Sequence, residues 1–314
     1  MNAKVEPETA KRAPAADRIG VIALLTGTAI IAWSGILVRF LDVGPLAGAA
    51  WRMGLAVPAL AVWAGVARRG QTQAPDLRRV AVPLIFAGLA FAIDVGLFHI
   101  AINGTKVANA TFIGNVAPIL AVIGGAIFFE EHPPWRVWIA LALALVGAWV
   151  MAGMVAPSQV RHGDAFAFAA ATAYASYLLI IKLLRADLDA PTATLWSAAV
   201  SAVALTIAAL LHRETMIPST VLGWTIVVLL GVVSHAIGQG LTSVAVGRAP
   251  VGLIALVILA QPPFSALFAW GVLGEAMTAL QMTGGAIILA AVLLSRPSMA
   301  SPTIRVPPSG TARR

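Results

Sequence analysis

Cysteine is absent from the 314 residues, which excludes disulfides, thiolate metal sites and cysteine nucleophiles. Charge is scarce. Asp, Glu, Lys and Arg make up 11% of the chain, where a soluble domain carries ~25%. No HExxH, GxSxG, Walker A or Rossmann fingerprint occurs, so the sequence offers no sign of a zinc, hydrolase, ATP or dinucleotide site. No cofactor or metal is expected, and any uphill work must draw on a solute gradient, a proton gradient or exchange. What is abundant is apolar residues, at 60%, together with 28 glycines and a mean hydropathy of +0.90. A water-soluble globule of this length could not hide that much apolar surface. A soluble enzyme, a nucleic-acid-binding domain and a disordered protein are all excluded, and a polytopic helical membrane protein remains.

About 20 apolar residues cross the hydrocarbon core as a helix. Ten such stretches are expected: 19–40, 44–66, 80–101, 106–128, 135–154, 163–184, 191–211, 219–241, 250–272 and 277–295. The polar segment 1–18 reads as a cytoplasmic tail rather than a cleaved signal. The Pro/Ser/Arg-rich segment 296–314 reads as a disordered tail. The connections, the longest at 67–79, are too short to hold a catalytic domain. Placing the N-terminus inside puts sixteen Lys/Arg in the cytoplasm and four, Arg39, Lys106, Arg161 and Arg213, on the opposite side, with Arg52 inside a helix. The positive-inside bias therefore predicts both termini in the cytoplasm. It also explains a pI near 11.0 without any nucleic-acid partner.

The two halves resemble each other at an offset of 144 residues. Ala92-Ile93-Asp94-Val95-Gly96-Leu97 aligns with Ala236-Ile237-Gly238-Gln239-Gly240-Leu241, Pro118 with Pro262, and Glu131 with Glu275. Five helices per repeat invert the second copy, an arrangement suited to alternating access in transporters. The expected fold is therefore all-α: ten transmembrane helices in two inverted five-helix repeats, 19–154 and 163–295.

The runs PILAVIGGAIFFEE (118–131) and PPFSALFAWGVLGE (262–275), the closing AMTALQMTGGAIILAAVLLS and the opening AIIAWSGILVRF (29–40) resemble EamA domains of the drug/metabolite transporter superfamily. By general likeness they also resemble the YddG-like amino-acid exporters within it. The resemblance implies two EamA units and export of small metabolites across the bacterial inner membrane. Glu130-Glu131-His132-Pro133 replaces the more usual Gly-Glu in the first repeat.

Asp94 is the only acidic residue deep within a span. It either lines a polar cavity, binding an ammonium or exchanging a proton, or packs a helix against polar neighbours. His99 and His235 are further candidates for the cavity wall, with Gln239 beside the latter. Asn115 and Gln261 sit beside Pro118 and Pro262 near mid-span. Proline frees backbone carbonyls that a cavity can satisfy, so the prolines read as gating hinges and the amides as substrate contacts. Trp33, Ser34, Tyr174 and Tyr177 lie at mid-span of the first and sixth helices and could stack on or hydrogen-bond a substrate. Trp135, Trp138 and Trp149 read as interfacial anchors. Arg52 either attracts an anion or snorkels. Glu131 and Glu275 read as loop or cap residues at opposite membrane edges. The fifth and tenth helices read as peripheral braces whose Gly147 and Gly284-Gly285 faces offer surfaces for self-association.

The leading expectation is a secondary exporter of amino acids, aromatic ones included, or of related small metabolites. Its partners are a small-molecule substrate and membrane lipid. The alternatives are a multidrug exporter of lipophilic cations, with Asp94 as counter-charge, and a membrane enzyme or receptor that translocates nothing.

Overall fold

A computed structural model describes residues 18–69, 77–105, 107–154 and 162–294. The expected tails, most of the 67–79 connection and residues 155–161 lie outside the described residues. Among the described residues all regular structure is helical, in ten segments: α1 (Arg18–Phe40), α2 (Pro45–Ala67), α3 (Leu77–Gly104), α4 (Val107–Gly114 and Ala117–Phe128), α5 (Trp135–Met151), α6 (His162–Leu184), α7 (Ala190–Leu211), α8 (Val221–Val246), α9 (Val251–Ile258 and Gln261–Leu273) and α10 (Ala279–Leu294). Eight of these are long and apolar enough to cross a membrane. α5 and α10 have 17 and 16 residues, shorter than the 135–154 and 277–295 expected. α5 ends early because the chain turns at Gly153, φ +86°, and α10 starts late because residues 274–278 are not helical.

Local chemistry sets the other ends. Asp189 caps α7 by accepting from the Thr192 N–H at 2.8 Å, and Thr220 caps α8 by accepting from the Gly223 N–H at 2.9 Å, each satisfying an orphan donor of the first turn. Pro45 and Pro191 stand in the first turns of α2 and α7, where a missing N–H costs nothing. α9 ends on Gly274 in the left-handed region (φ +67°). Its counterpart 144 residues earlier, Glu130, adopts the same turn at φ +53° after α4. The departure in the first repeat thus changes the side chain and keeps the backbone turn, at the steric cost a non-glycine pays there.

Helices from the two repeats interleave. α3 packs on α6 and α7, and α2 packs on α7 and α8. Gly88 lets α3 approach α7: a Cβ there would lie 2.7 Å from the Ser197 carbonyl oxygen, and the Ser201 hydroxyl donates to the Gly88 carbonyl at 2.8 Å. On the other side of the pseudo-two-fold, a Cβ at Gly231 of α8 would meet Leu55 of α2 at 2.6 Å. α5 and α10 pack on each other through Gly147 and Gly284, where a Cβ at Gly147 would lie 2.7 Å from the Gly284 carbonyl oxygen. That glycine face, expected to be available for self-association, is therefore consumed within the chain. Large apolar side chains cover the outside, Val62, Phe86, Phe128 and Leu211 among them. Water would penalise such a surface and lipid matches it. The chain is a multi-pass membrane protein.

Candidate functional site

Four helices bring polar groups to one place in the apolar bundle. α3 supplies Phe91 and Asp94, α6 supplies Tyr174 and Tyr177, α8 supplies His235 and Gln239, and α2 supplies Arg52. Tyr174 and Tyr177 share a helix face and stack at 6.1 Å. Phe91 lies 4.8 Å from the Tyr177 ring and 5.4 Å, edge-on, from His235. Phe91 and His235 are 144 residues apart, so equivalent positions of the two repeats touch where a pseudo-two-fold axis would pass. Gln239 Nε2 donates to the Tyr177 hydroxyl at 3.4 Å. Over Leu229–Gln239, α8 winds as a π-helix, a rare geometry that recurs at functional sites. His235 and Gln239, four residues apart, share one face of this stretch.

Asp94 has a charged neighbour, Arg52, close enough for the two to act on each other. The sequence signalled both residues but did not pair them, because their spans are separated by a connection of unknown course. Both nitrogens of the buried His235, the Ser234 hydroxyl and Arg52 Nε are buried without hydrogen-bond partners. Buried polar atoms left unsatisfied are uncommon in proteins, and these four make the cluster the candidate site. Arg52 also lines a cavity of about 40 Å³, otherwise walled by Val38, Leu41, Pro45, Gly48, Ala49, Met53, Val95 and Leu230.

The other sequence candidates are placed differently. Trp33 stacks on Phe268 of α9 at 4.7 Å, and Ser34 donates to the Ile31 carbonyl of its own helix at 2.6 Å. Both stand at the α1–α9 contact instead of joining the tyrosines. Asn115 and Gln261 mark the breaks between the halves of α4 and α9, as the prolines imply. Pro118 is buried and Pro262 half-buried. His99 lies in α3, with its side chain outside the described residues.

The bundle's two faces are closed by different devices. On one face, Asp42 Oδ2 accepts four hydrogen bonds, from the N–H and hydroxyl groups of Ser219 and Thr220, at 2.9–3.0 Å. The Thr220 hydroxyl does most to hold its carboxyl below the ordinary 3.8. Glu214 accepts from the Ala47 N–H at 2.9 Å. Arg39 of α1 reaches Glu275, just beyond α9, at 2.7 Å, with both side chains at least half exposed. On the opposite face, Lys182 of α6 pairs with Glu131, just beyond α4. Their side chains are 16% and 24% exposed, and Glu131 also accepts from the Val251 N–H of α9 at 2.9 Å. Arg39–Glu275 and Lys182–Glu131 are thus counterparts, each joining one repeat to the other.

The same asymmetry runs down the helices. Ala117, Pro118, Ala121, Val122, Gly124 and Gly125 are buried in the second half of α4, but only Ala269 in the second half of α9. The first half of α9 is almost wholly buried. The bundle is sealed toward Glu131 and looser toward Glu275.

The profile of the EamA-like transporter family matches residues 18–153 and again residues 161–296. The chain belongs to the EamA-like transporter family. Among relatives, a probable terminal-alkyne amino-acid exporter of Streptantibioticus cattleyicolor is 28% identical over 252 residues, covering 77% of this chain and 81% of that one. The threonine/homoserine exporter RhtA of Escherichia coli K12 is 26% identical over 67% of this chain and 70% of its own. The pseudopaline exporter CntI of Pseudomonas aeruginosa PAO1 is 24% identical over 70% and 77%. A crystal structure matches with a TM-score of 0.76 at 17% identity, over 88% of this chain and 96% of that one, which speaks for the fold alone. Two EamA units account for the internal repeat. The chain is a membrane transporter, as its exporter relatives are.

Proposed function

We propose that this EamA protein is a secondary exporter of amino acids or closely related small metabolites in the bacterial inner membrane. It crosses ten times, with both termini in the cytoplasm and units bounded at 19–154 and 163–295. It performs no covalent chemistry, and the substrate occupies the cluster of Arg52, Asp94, Tyr174, Tyr177, His235 and Gln239. One observation carries the reading: an acid and a base, two tyrosines and unpartnered imidazole nitrogens converge in the interior of a bundle whose relatives are named amino-acid exporters. Carboxylate, ammonium and side chain of an amino acid each find a complementary group there. Alternating access follows from the inverted repeats, with the Pro-broken α4 and α9 bending between two packings.

The lipophilic-cation alternative has Asp94 and the aromatic rings in its favour. Arg52 opposes it by placing a positive charge beside the counter-ion. The test is flux. Purified protein in liposomes preloaded with radiolabelled threonine, homoserine or phenylalanine should release label faster than protein-free liposomes, and Asp94→Asn should change the rate or its pH dependence. Release of a lipophilic cation such as tetraphenylphosphonium, with none of the amino acids, would overturn amino-acid export. No flux of any solute would overturn transport at this cluster.

A further inference from the structure

Arg52 is the residue of the cluster with two readings open from the sequence, attraction of an anion or snorkelling. Arg52 borders two environments. On one side is Asp94, with the tyrosines and His235 beyond. On the other is the cavity under the α1–α2 turn, whose remaining wall is made of carbon side chains and glycine. A water needs roughly 10–15 Å³ of such space, so about 40 Å³ holds around three waters, or one carboxylate. A guanidinium is a planar fork that binds a carboxylate through two parallel hydrogen bonds; Arg52 lines the cavity, and its Nε, shielded from water, has no partner in this arrangement. A purely structural arginine at this depth would have Nε paired with a carbonyl or with its acid.

We propose that Arg52 is the carboxylate anchor of the transport site, and that it restricts the exporter to substrates bearing a carboxylate. The inference rests on the exporter reading and deepens it. A carboxylate docks in the small cavity against Arg52. The ammonium of the same molecule lies toward Asp94, and its side chain extends toward the tyrosines. Amines of the same shape find the cation without its counter-charge and are rejected, because a buried charge without a partner is costly. The cavity's Val38, Leu41 and Pro45 wall places it toward the looser face, the one that carries Asp42 and Glu275 and onto which an exporter with cytoplasmic termini releases its substrate.

The experiment compares each amino acid with the amine left when its carboxylate is removed: threonine with 1-amino-2-propanol, homoserine with 3-amino-1-propanol, and phenylalanine with phenethylamine. Proteoliposomes carrying the full chain are loaded with labelled amino acid or labelled amine, and release is measured for wild type and Arg52→Gln. Wild type should favour the amino acid roughly tenfold to a hundredfold, the value of one charge-assisted contact. In Arg52→Gln the preference should collapse to about threefold or less, through loss of amino-acid flux with amine flux unchanged or raised. If Arg52→Gln is not recovered folded, Arg52→Lys decides. It keeps the charge and loses the fork, so amino-acid flux should fall about fivefold or more against a constant amine flux. The assignment is overturned if wild type carries the amines as well as the amino acids, or if the variant slows both classes equally. Transport of amines alone overturns the assignment while leaving an exporter, and absence of all flux removes the exporter reading itself.

Discussion

Replacing Glu131 by Gln should open the sealed face. Glu131 holds that face at two points: one oxygen pairs with Lys182 and the other accepts from the Val251 N–H at 2.9 Å. Glutamine keeps the shape and one acceptor but removes the charge. A hydrogen bond to a charged group contributes about 1.5–3 kcal/mol. These side chains are 16% and 24% exposed, so solvent screens part of it and the low end applies, about 1–2 kcal/mol. If Glu131 is hydrated once the face opens, that whole loss falls on the closed state, and the open population rises about 5–30-fold. Arg39–Glu275, exposed at 58% and 50%, is a surface pair contributing ~0–1 kcal/mol. Glu275→Gln should move the equilibrium by about fivefold at most.

The chain has no cysteine, so a single Ala121→Cys introduces a unique reporter. Ala121 lies in the second half of α4, fully buried, on the side of the bundle that ends at Glu131. The rate of labelling by a small water-soluble maleimide then reads the open population. Labelling should rise about 5–30-fold in Glu131→Gln and far less in Glu275→Gln. An unchanged rate in Glu131→Gln, or a larger response to Glu275→Gln, would refute the idea that burial makes one of the two ion pairs the stronger lock.

Further outcomes follow from the same structure. Alkaline phosphatase fused after residue 74 should be inactive and after residue 158 active, whereas reversed activities would invert the proposed orientation. Glu130→Gly relieves a left-handed non-glycine residue that costs about 1–2 kcal/mol against about 0.5–1 kcal/mol of lost chain entropy. The melting temperature in detergent should therefore rise slightly, and a fall would show that the Glu130 side chain holds the turn. Asp42 has its pKa lowered in the folded state, so its stabilising effect is complete above the ordinary carboxylate range and fades as pH falls through the lowered value. Asp42→Asn should melt below wild type at pH 7, with the gap narrowing toward pH 3, and a gap independent of pH would place the clamp in shape alone.

The architecture was legible because one physical signal dominates it. Apolar runs of helical length and a 144-residue echo anchored on Pro118/Pro262 and Glu131/Glu275 needed no tertiary information. The candidate cluster was legible one residue at a time. Asp94, Tyr174, Tyr177, His235 and Gln239 stood out as polar groups in apolar spans, and the structure gathers them. Their pairing could not be read. Arg52 sits 42 positions before Asp94, and which helix faces meet depends on close approaches such as Gly88 on α7 and Gly231 on α2. Phe91 was missed because a phenylalanine in an apolar helix carries no signal of its own, although its register with His235 was available from the repeat. Trp33 and Ser34 were grouped with the tyrosines on span position. Trp33 is the repeat counterpart of Tyr177, yet it meets Phe268 of α9, where the first repeat has Gly124 at the position equivalent to Phe268.

The inverted repeat also gives the asymmetry a meaning that a single bundle would lack. Equivalent halves of α4 and α9 have the same proline break and the same terminal Glu, yet one is packed and the other is loose. Sequence composition does not account for this, since both halves are apolar and both end in the same left-handed turn. Two arrangements are therefore open to the same set of contacts, and the structure holds one of them. Exchanging the roles would bury Gln261–Leu273 beneath a tightened Arg39–Glu275 pair and loosen Ala117–Phe128 as Lys182–Glu131 parts. Phe91 and His235, at equivalent positions and in contact, would stay together in both arrangements because they lie on the axis. A substrate held beside them could thus be exposed to either side without leaving its ligands, which is the requirement alternating access places on a site.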